Sequence, residues 1–585
     1  MLVLSETLDK VYSELSLLET INRKATSTGL SKKGYSEIWE VKTEVEVGNY
    51  LKEICFYIAF DRLFPLNIPR IYLSQSCFDE IKYIPHVDKE RYICTYHADS
   101  LILDISNPLG IVRDCLKRAK KIIKDGLETS NNDDFKDELG AYWTDNDESN
   151  IFQYISLLPD FPKETTLLKI CKLNPTYNHI KYLLYKNKTD VKAKKFVDFV
   201  LSKGCKGIES DVLFLGDYKI NSKPPFPENN EDILKSMSDV SFEAFKKYIN
   251  SKNFDKYIFF TADTSSKPIL LGWKHKFINT KRNGFRQESL TPFVTLSKYQ
   301  IKDKIERILV SEYSNNRIEN RTSGLVCKKY NFLVAGLGSV GSNLIYFLNG
   351  LNYPNFKLID DDILKIENIG RHLLGVNNIN STKVHAIKSH IENIRPDQNV
   401  STKFSKLESI LIDNIDYFND CDYAFIAIGN QNIENFLIEK YNENKISIPM
   451  FFLWIEPYAI GGHCVFIHPD DKITLADLYK GHMYRFNIIE PAEYVKSNPI
   501  LSKQEAGCQT SYTPYSGNDV ILFLSSIYKW LNHIIQNNSK QSMVMQWTGN
   551  INIAKGLGLA INAPYTTNKS FSNITIKLND DSQKR

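Results

Sequence analysis

A chain of 585 residues is too long for one hydrophobic core and divides into several domains. Its 42% hydrophobic and 24% charged residues are those of a globular protein, not a disordered or fibrous one. A net charge of +4 over this length gives no support for nucleic acid as a partner, no apolar run could span a bilayer, and the opening Met1-Leu-Val-Leu-Ser-Glu6 lacks the regions of a signal peptide, so a cytoplasmic protein without nucleic-acid or membrane partners is expected.

Residues 1–145 form the first block. Phe64-Pro-Leu-Asn-Ile-Pro-Arg-Ile-Tyr-Leu73 reads as a proline-flanked strand. Pro85-His86-Val87-Asp88 then leads through Arg91-Tyr-Ile-Cys94 into a helix with apolar spacing over 107–123. The polar run Glu128–Glu138 lacks periodicity and reads as a surface connection. The middle block, 146–310, holds a proline-rich loop at 223–230 and short apolar runs such as Tyr257–Phe260, and is mixed α and β without an assignable motif. The ten cysteines are dispersed with no C-x-x-C pair, which argues against a structural zinc site.

The last block, 311–585, alternates strands and helices: strand 332–335, helix 342–350, strand 356–360, helix 381–394, a short strand at 400–404 and strand 422–428. That alternation predicts a parallel sheet with crossover helices. Between the first strand and helix lie Gly336, Gly338 and Gly341 in G-x-G-x-x-G spacing. Such a turn lets phosphate oxygens approach backbone N–H groups at a helix N-terminus. Asp360 ends the next strand, where it could hold a ribose hydroxyl. Alone, this pattern also fits a nicotinamide enzyme. Asn368, Arg371 and Lys383 follow, and an Asn and two cations aimed at a nucleotide suit charge building on an α-phosphate under attack by a carboxylate.

The order Gly-rich loop, Asp, Asn-x-x-Arg, Lys resembles the ThiF/MoeB/ubiquitin-activating superfamily, from about 331 to 519. The resemblance implies a Rossmann-like α/β adenylation domain with a parallel-rich sheet. ATP would be bound by Gly336, Gly338, Gly341, Asp360, Asn368, Arg371 and Lys383, with Mg²⁺ alongside. Relatives place an Asp after the strand matching 423–428; here the chain reads Ala427-Ile-Gly429-Asn430, leaving Asp361 or Asp362 as the nearby carboxylates. A trans arginine from a dimer partner would correspond to Arg317 or Arg321.

Two cysteines are candidate nucleophiles. Cys508, in Glu505-Ala-Gly-Cys-Gln-Thr510 ahead of a helix starting near Asn518, looks like the catalytic Cys of ubiquitin-activating enzymes, which takes the acyl group from the adenylate as a thioester. Cys464 lies in an apolar run and reads as a buried strand residue. The first block resembles the α+β ubiquitin-conjugating fold, with Cys94 as acceptor, although the family's His-Pro-Asn appears as His86-Val-Asp88. A conjugating-like domain joined to an activating-like one is similar to the ubiquitin-transferase-like proteins of CBASS antiphage operons. That implies the C-terminus of a cGAS/DncV-like nucleotidyltransferase as partner, target lysines as acceptors, and a homodimer. A ThiF/MoeB-type sulfur-carrier adenylyltransferase is the alternative.

Overall fold

The structure is a computed structural model; it describes residues 4–23, 30, 34–96, 101–144, 153–187, 189–252, 255–280, 286, 290–322, 328–481, 483–495, 499–504 and 511–578. The chain forms two compact units, residues 1–317 and 318–585.

The first unit opens with helix α1 (Leu4–Leu15) and a five-stranded antiparallel sheet of β1 (Thr20–Asn22), β2 (Glu37–Val47), β3 (Tyr50–Phe60), β4 (Arg70–Leu73) and β5 (Tyr92–Ile93), paired in that order. Val41, Ile54, Phe56, Ile58 and Ile71 are fully buried beneath helix α2 (Pro108–Leu127). That helix begins where the sequence predicts. Asn107 caps it by accepting the Gly110 N–H at 2.9 Å, with Pro108 in the first turn. Its buried residues Val112, Cys115, Leu116, Ala119 and Ile123 recur at helical spacing and cover the sheet.

The run 128–138 is not the solvated surface connection expected from its polarity. It contains helix α3 (Asp134–Asp137), with Phe135 fully buried, and leads into α4 (Leu139–Trp143). Two anchors override the missing periodicity: the Glu138 carboxylate, which closes on His86, and the Trp143 indole, which donates to the carbonyls of Gly272 and Ile308 at 3.1 Å each. Residues 139–143 therefore already belong to the packing of the next layer. That layer is an eight-stranded mixed sheet of β6 (Tyr154–Ser156), β7 (Thr166–Tyr177), β8 (Ile180–Tyr185), β9 (Lys206–Phe214), β10 (Lys256–Ala262), β11 (Ile269–His275), β12 (Glu306–Leu309) and β13 (Ser311–Glu312), in the order β12-β11-β10-β9-β7-β8-β6-β13.

The second unit is built on β14 (Asn331–Ala335), β15 (Asn355–Ile359), β16 (Val400–Lys403), β17 (Tyr423–Ile426), β18 (Met450–Ile455), β19 (Gly461–Ile467), β20 (Met543–Thr548) and β21 (Ser572–Lys577). The sheet order is β16-β15-β14-β17-β18-β19-β20-β21, parallel through β18 and antiparallel beyond. Both faces are covered, so β14 reads as a continuous apolar run. Phe332 and Val334 face a core shared with helices α5 (Ser339–Asn349), α6 (Lys383–Ile394) and α8 (Gly517–Gln536), whereas Leu333 and Ala335 face the core holding α7 (Gln431–Asn442). The fold is thus mixed α/β with a Rossmann-like, parallel-rich sheet, as the alternation predicts, and its ligand crevice lies beyond the carboxyl ends of β14, β15, β17 and β18. Among the described residues no helix is long and apolar enough to cross a membrane.

Candidate active site

The Gly-rich turn requires glycine at two of its three positions, Gly336 and Gly341. Gly336 sits at φ +84°, and a Cβ there would lie 2.7 Å from the Ala427 carbonyl atoms. A Cβ on Gly341 would run into the Gly336 carbonyl oxygen. Close packing of α5 on β14 and β17 thus fixes where the helix N-terminus points. Asp360 secures the turn from the side: its Oδ2 accepts the Leu337 N–H at 2.6 Å and its Oδ1 accepts the Asp362 N–H at 2.9 Å. Burial raises the Asp360 pKa above the ordinary carboxyl value, and the two amides offset this only in part. In this arrangement the carboxylate braces the Gly-rich turn.

The cavity beyond the turn has a volume of about 1500 Å³ and is lined by Gly338, Ser339, Asn368, Arg371 and Lys383. The structure thus brings together the residues singled out for the triphosphate. Lys383 is buried at the start of α6, its Nζ 2.6 Å from Asp362 Oδ2. Burial pushes the Asp362 carboxyl up, but the Lys383 ammonium outweighs that and holds it below its usual value. Asn368 accepts the Lys365 N–H through its side-chain oxygen at 2.9 Å, which leaves its NH₂ group to donate to a ligand. The Arg371 guanidinium donates to the Thr513 carbonyl at 2.8 Å and lies 4.8 Å from the Tyr515 ring centre.

Several supporting residues carry no sequence signal of their own. Asn343 on α5 donates to the carbonyls of Ser339 (2.7 Å) and Arg371 (3.0 Å), tying the helix N-terminus to the cation-bearing loop. His372 is buried, with a pKa pushed down by burial to about 4, so its ring is neutral. Its Nε2–H donates to the Leu337 carbonyl at 2.9 Å and its Nδ1 accepts the Leu374 N–H at 3.0 Å, which fixes the tautomer. Ser339 and Tyr515 share a hydroxyl–hydroxyl hydrogen bond of 2.7 Å.

Cys508 lies outside the described residues. The segments on either side of 505–510 are described: backbone pairing joins Lys503–Gln504 to Ser511–Tyr512, and Lys503, Tyr512 and Thr513 line the cavity. The helix expected near Asn518 starts at Gly517 with a capping box. Ser516 Oγ accepts the Asp519 N–H at 3.2 Å, and Asp519 accepts the Ser516 N–H at 3.1 Å. Cys464 is fully buried in β19, where burial drives its thiol pKa up. Arg317 lies 3.9 Å from Glu312, and Arg321 is exposed on a short helix; neither lines the cavity. Gly429 does line it, at φ +67°, so no carboxylate stands at that position.

The residues present fit a nucleotide: a bare glycine turn at a helix N-terminus, two cations and an amide face one cavity. They do not form a protein-only metal site. Among the described residues no three His, Cys, Asp or Glu side chains come together as metal ligands.

In the first unit Cys94 is exposed directly after β5, its N–H donating to the His86 carbonyl at 2.8 Å. His86, at φ +65°, is clamped: Nδ1 lies 2.7 Å from Glu138 Oε1 and Nε2 lies 3.1 Å from Asp134 Oδ2. The Glu138 hydrogen bond raises the His86 pKa, while burial opposes it. Partial burial and then the Glu138 and Asp88 carboxylates raise the Cys94 thiol. The His86 ring is thus committed to the polar run itself, at both ends of helix α3.

Comparison with known families separates the same two regions. Residues 21–152 match the family model described as Prokaryotic E2 family B, and residues 323–511 match that of the ThiF family. The chain joins an E2-like region to a ThiF-type region. Among solved structures, a selenomethionine structure of PaaA is 12% identical with a TM-score of 0.30, covering 51% of this chain and 77% of PaaA. E. coli TcdA, a tRNA N6-threonylcarbamoyladenosine dehydratase solved with AMP, is 21% identical with a TM-score of 0.21, covering 23% of this chain and 56% of TcdA. E. coli MccB with MccA-N7isoASN is 11% identical with a TM-score of 0.30, covering 43% of this chain and 64% of MccB. No curated protein matches the chain.

Proposed function

We propose that the second unit uses ATP to adenylate the C-terminal carboxylate of a partner protein, and that the acyl group then passes through Cys508 and Cys94 to an amine. One observation carries the reading: the Gly-rich turn, Asn368, Arg371 and Lys383 share a cavity with the residues that flank the Cys508 segment. A nucleotide oxidoreductase has no use for that convergence.

In the first step a carboxylate oxygen attacks the α-phosphorus and the bond to the β-phosphate bridging oxygen breaks, releasing pyrophosphate. The N–H groups at the start of α5, the Asn368 NH₂, Arg371 and Lys383 meet the charge that develops. Asp362 keeps Lys383 oriented, and Asn343 with Thr513 keeps Arg371 in place. Mg²⁺ would be held chiefly by phosphate oxygens, the usual arrangement where a protein supplies few carboxylates. In the second step the Cys508 thiolate attacks the acyl carbon and AMP leaves. The Cys94 thiolate then displaces that of Cys508, and an attacking lysine amine forms the amide, expelling the Cys94 thiolate and losing its proton to solvent.

The E2-like match at 21–152 favours this relay over a sulfur-carrier adenylyltransferase, which needs no conjugating domain. The motif resemblance to CBASS transferase-like proteins supports a cGAS/DncV-like nucleotidyltransferase as the partner, in antiphage defence, and a homodimeric enzyme. Incubation with ATP and such a partner tests the relay by its thiol-cleavable adducts. Cys508→Ala should abolish every adduct while adenylation persists, and Cys94→Ala should retain only the Cys508 adduct. Adducts unchanged in Cys508→Ala would refute the order.

A further inference from the structure

At about 1500 Å³ the cavity exceeds the roughly 300–1,000 Å³ of a typical small-molecule site. It is also lopsided. Asp360, at the end of β15, does not line it; the space runs the other way, past the ends of β17 and β18. There it meets Glu434 on α7, with Trp454, Tyr479 and Tyr484. A nucleotide on the Gly-rich turn occupies one side of this space and leaves the other to the acyl substrate.

Glu434 is only 6% exposed, yet among the described residues it makes no ion pair. Its one hydrogen bond comes from the Tyr479 hydroxyl, at 3.3 Å. The Tyr484 hydroxyl is buried with no partner among the described residues. Aromatic rings frame the carboxyl: Tyr484 stands edge-on to Trp454 at 4.7 Å and to Tyr479 at 5.7 Å. Burial raises the Glu434 pKa to about 7, and only the Tyr479 hydroxyl lowers it. Glu456, equally buried and lining the same cavity, shows the contrast. It accepts hydrogen bonds from the N–H groups of Ile488 (2.7 Å) and Ile489 (2.9 Å) and from the Tyr494 hydroxyl (3.1 Å), with His463 Nε2 at 2.7 Å. Its acceptors are spent on the fold, whereas Glu434 faces the cavity with capacity to spare.

We propose that Glu434, Tyr479 and Tyr484 form a subsite for a basic side chain, lysine or arginine, in the C-terminal tail of the protein being activated; this rests on the adenylation reading above. An ammonium or guanidinium supplies the missing counter-charge, donors for the Tyr484 oxygen, and a cation for the aromatic faces. A tail with an uncharged residue there would leave the Glu434 carboxyl with the Tyr479 hydroxyl alone and the Tyr484 hydroxyl with no partner among the described residues, which is how polar sites reject analogues. The groups facing Glu434 are Tyr479 and Tyr484, with Glu456 further along the wall. The cations that line the same cavity, Arg371, Lys383 and Lys503, do not shift its ionisation, so the incoming charge is the one that ionises Glu434, and selectivity strengthens as pH rises towards about 7.

ATP–pyrophosphate exchange tests this with synthetic peptides that end in a free glycine carboxylate and carry either arginine or uncharged, near-isosteric citrulline at successive positions before it. At pH 8, arginine at one position should give at least about ten-fold higher kcat/KM than citrulline. That gap should shrink at pH 6, narrow in Tyr484→Phe and vanish in Glu434→Gln, whose thermal midpoint should match wild type. Exchange that never distinguishes arginine from citrulline, or a gap that survives in Glu434→Gln, would overturn the subsite while leaving adenylation standing. Absence of exchange with every peptide would overturn adenylation itself and the subsite with it.

Discussion

Gly336→Ala separates loop geometry from loop chemistry when paired with Gly338→Ala. The φ of +84° at Gly336 is left-handed, which costs an L-residue about 1–2 kcal/mol. The added Cβ would also lie 2.7 Å from Ala427 backbone atoms, so β17 or the turn must shift by about 0.7 Å to restore ordinary contact, an overpacking penalty of about 1–3 kcal/mol. The variant should therefore lose about 2–5 kcal/mol of second-unit stability, read as a lower urea midpoint at constant slope. The displaced turn should also lower pyrophosphate exchange by about 10²-fold. A Cβ on Gly338 meets nothing within 4 Å, although that residue lines the cavity. Gly338→Ala should keep the urea midpoint and lose exchange alone. Equal midpoints for the two variants, or full exchange in Gly336→Ala, would refute the close-packing account of the turn.

Lys383→Met should lower exchange by about 10²–10³-fold with little change in stability, because Asp362 is half exposed and regains water; measured kcat with ATP at saturation checks it. Glu456→Gln should destabilise the second unit by about 2–4 kcal/mol, since the carboxamide must turn an NH₂ toward one of the donors from Ile488, Ile489, Tyr494 or His463; differential scanning calorimetry reads it. His86 is held above 6.5 chiefly by Glu138. Burial pushes Glu138 up, but His86 more than offsets it and holds it below 4.5. The histidine's contribution to stability is complete below pH 6.5 and is lost as pH rises through its raised value; that of Glu138 is complete above pH 4.5 and is lost as pH falls through its lowered value. The clamp therefore stabilises most between about pH 4.5 and 6.5. An NMR titration of the His86 ring should show a midpoint above 6.5 that moves down in Glu138→Gln.

Much of the second unit was legible because its signals are local. The buried run Phe332–Ala335 and the glycine spacing each act within a few residues, and the observed elements lie within a few residues of those expected, including the helix expected near Asn518, which starts at Gly517. Asn343, His372 and Glu434 were not legible. Their roles depend on partners up to 45 residues away, such as Tyr479 for Glu434, and an Asn, a His or a Glu on a helix carries no mark of what it will meet. The polar run 128–138 misled for the same reason: Phe135 and Glu138 gain their places from the core and from His86, not from periodicity.

ATP–pyrophosphate exchange with paired peptides, identical except for a free or amidated C-terminus, addresses the central claim directly. Exchange that requires the free carboxylate and disappears on amidation is the predicted result. Exchange indifferent to amidation, or none with any free carboxylate, would contradict the activation of a protein C-terminus by this site.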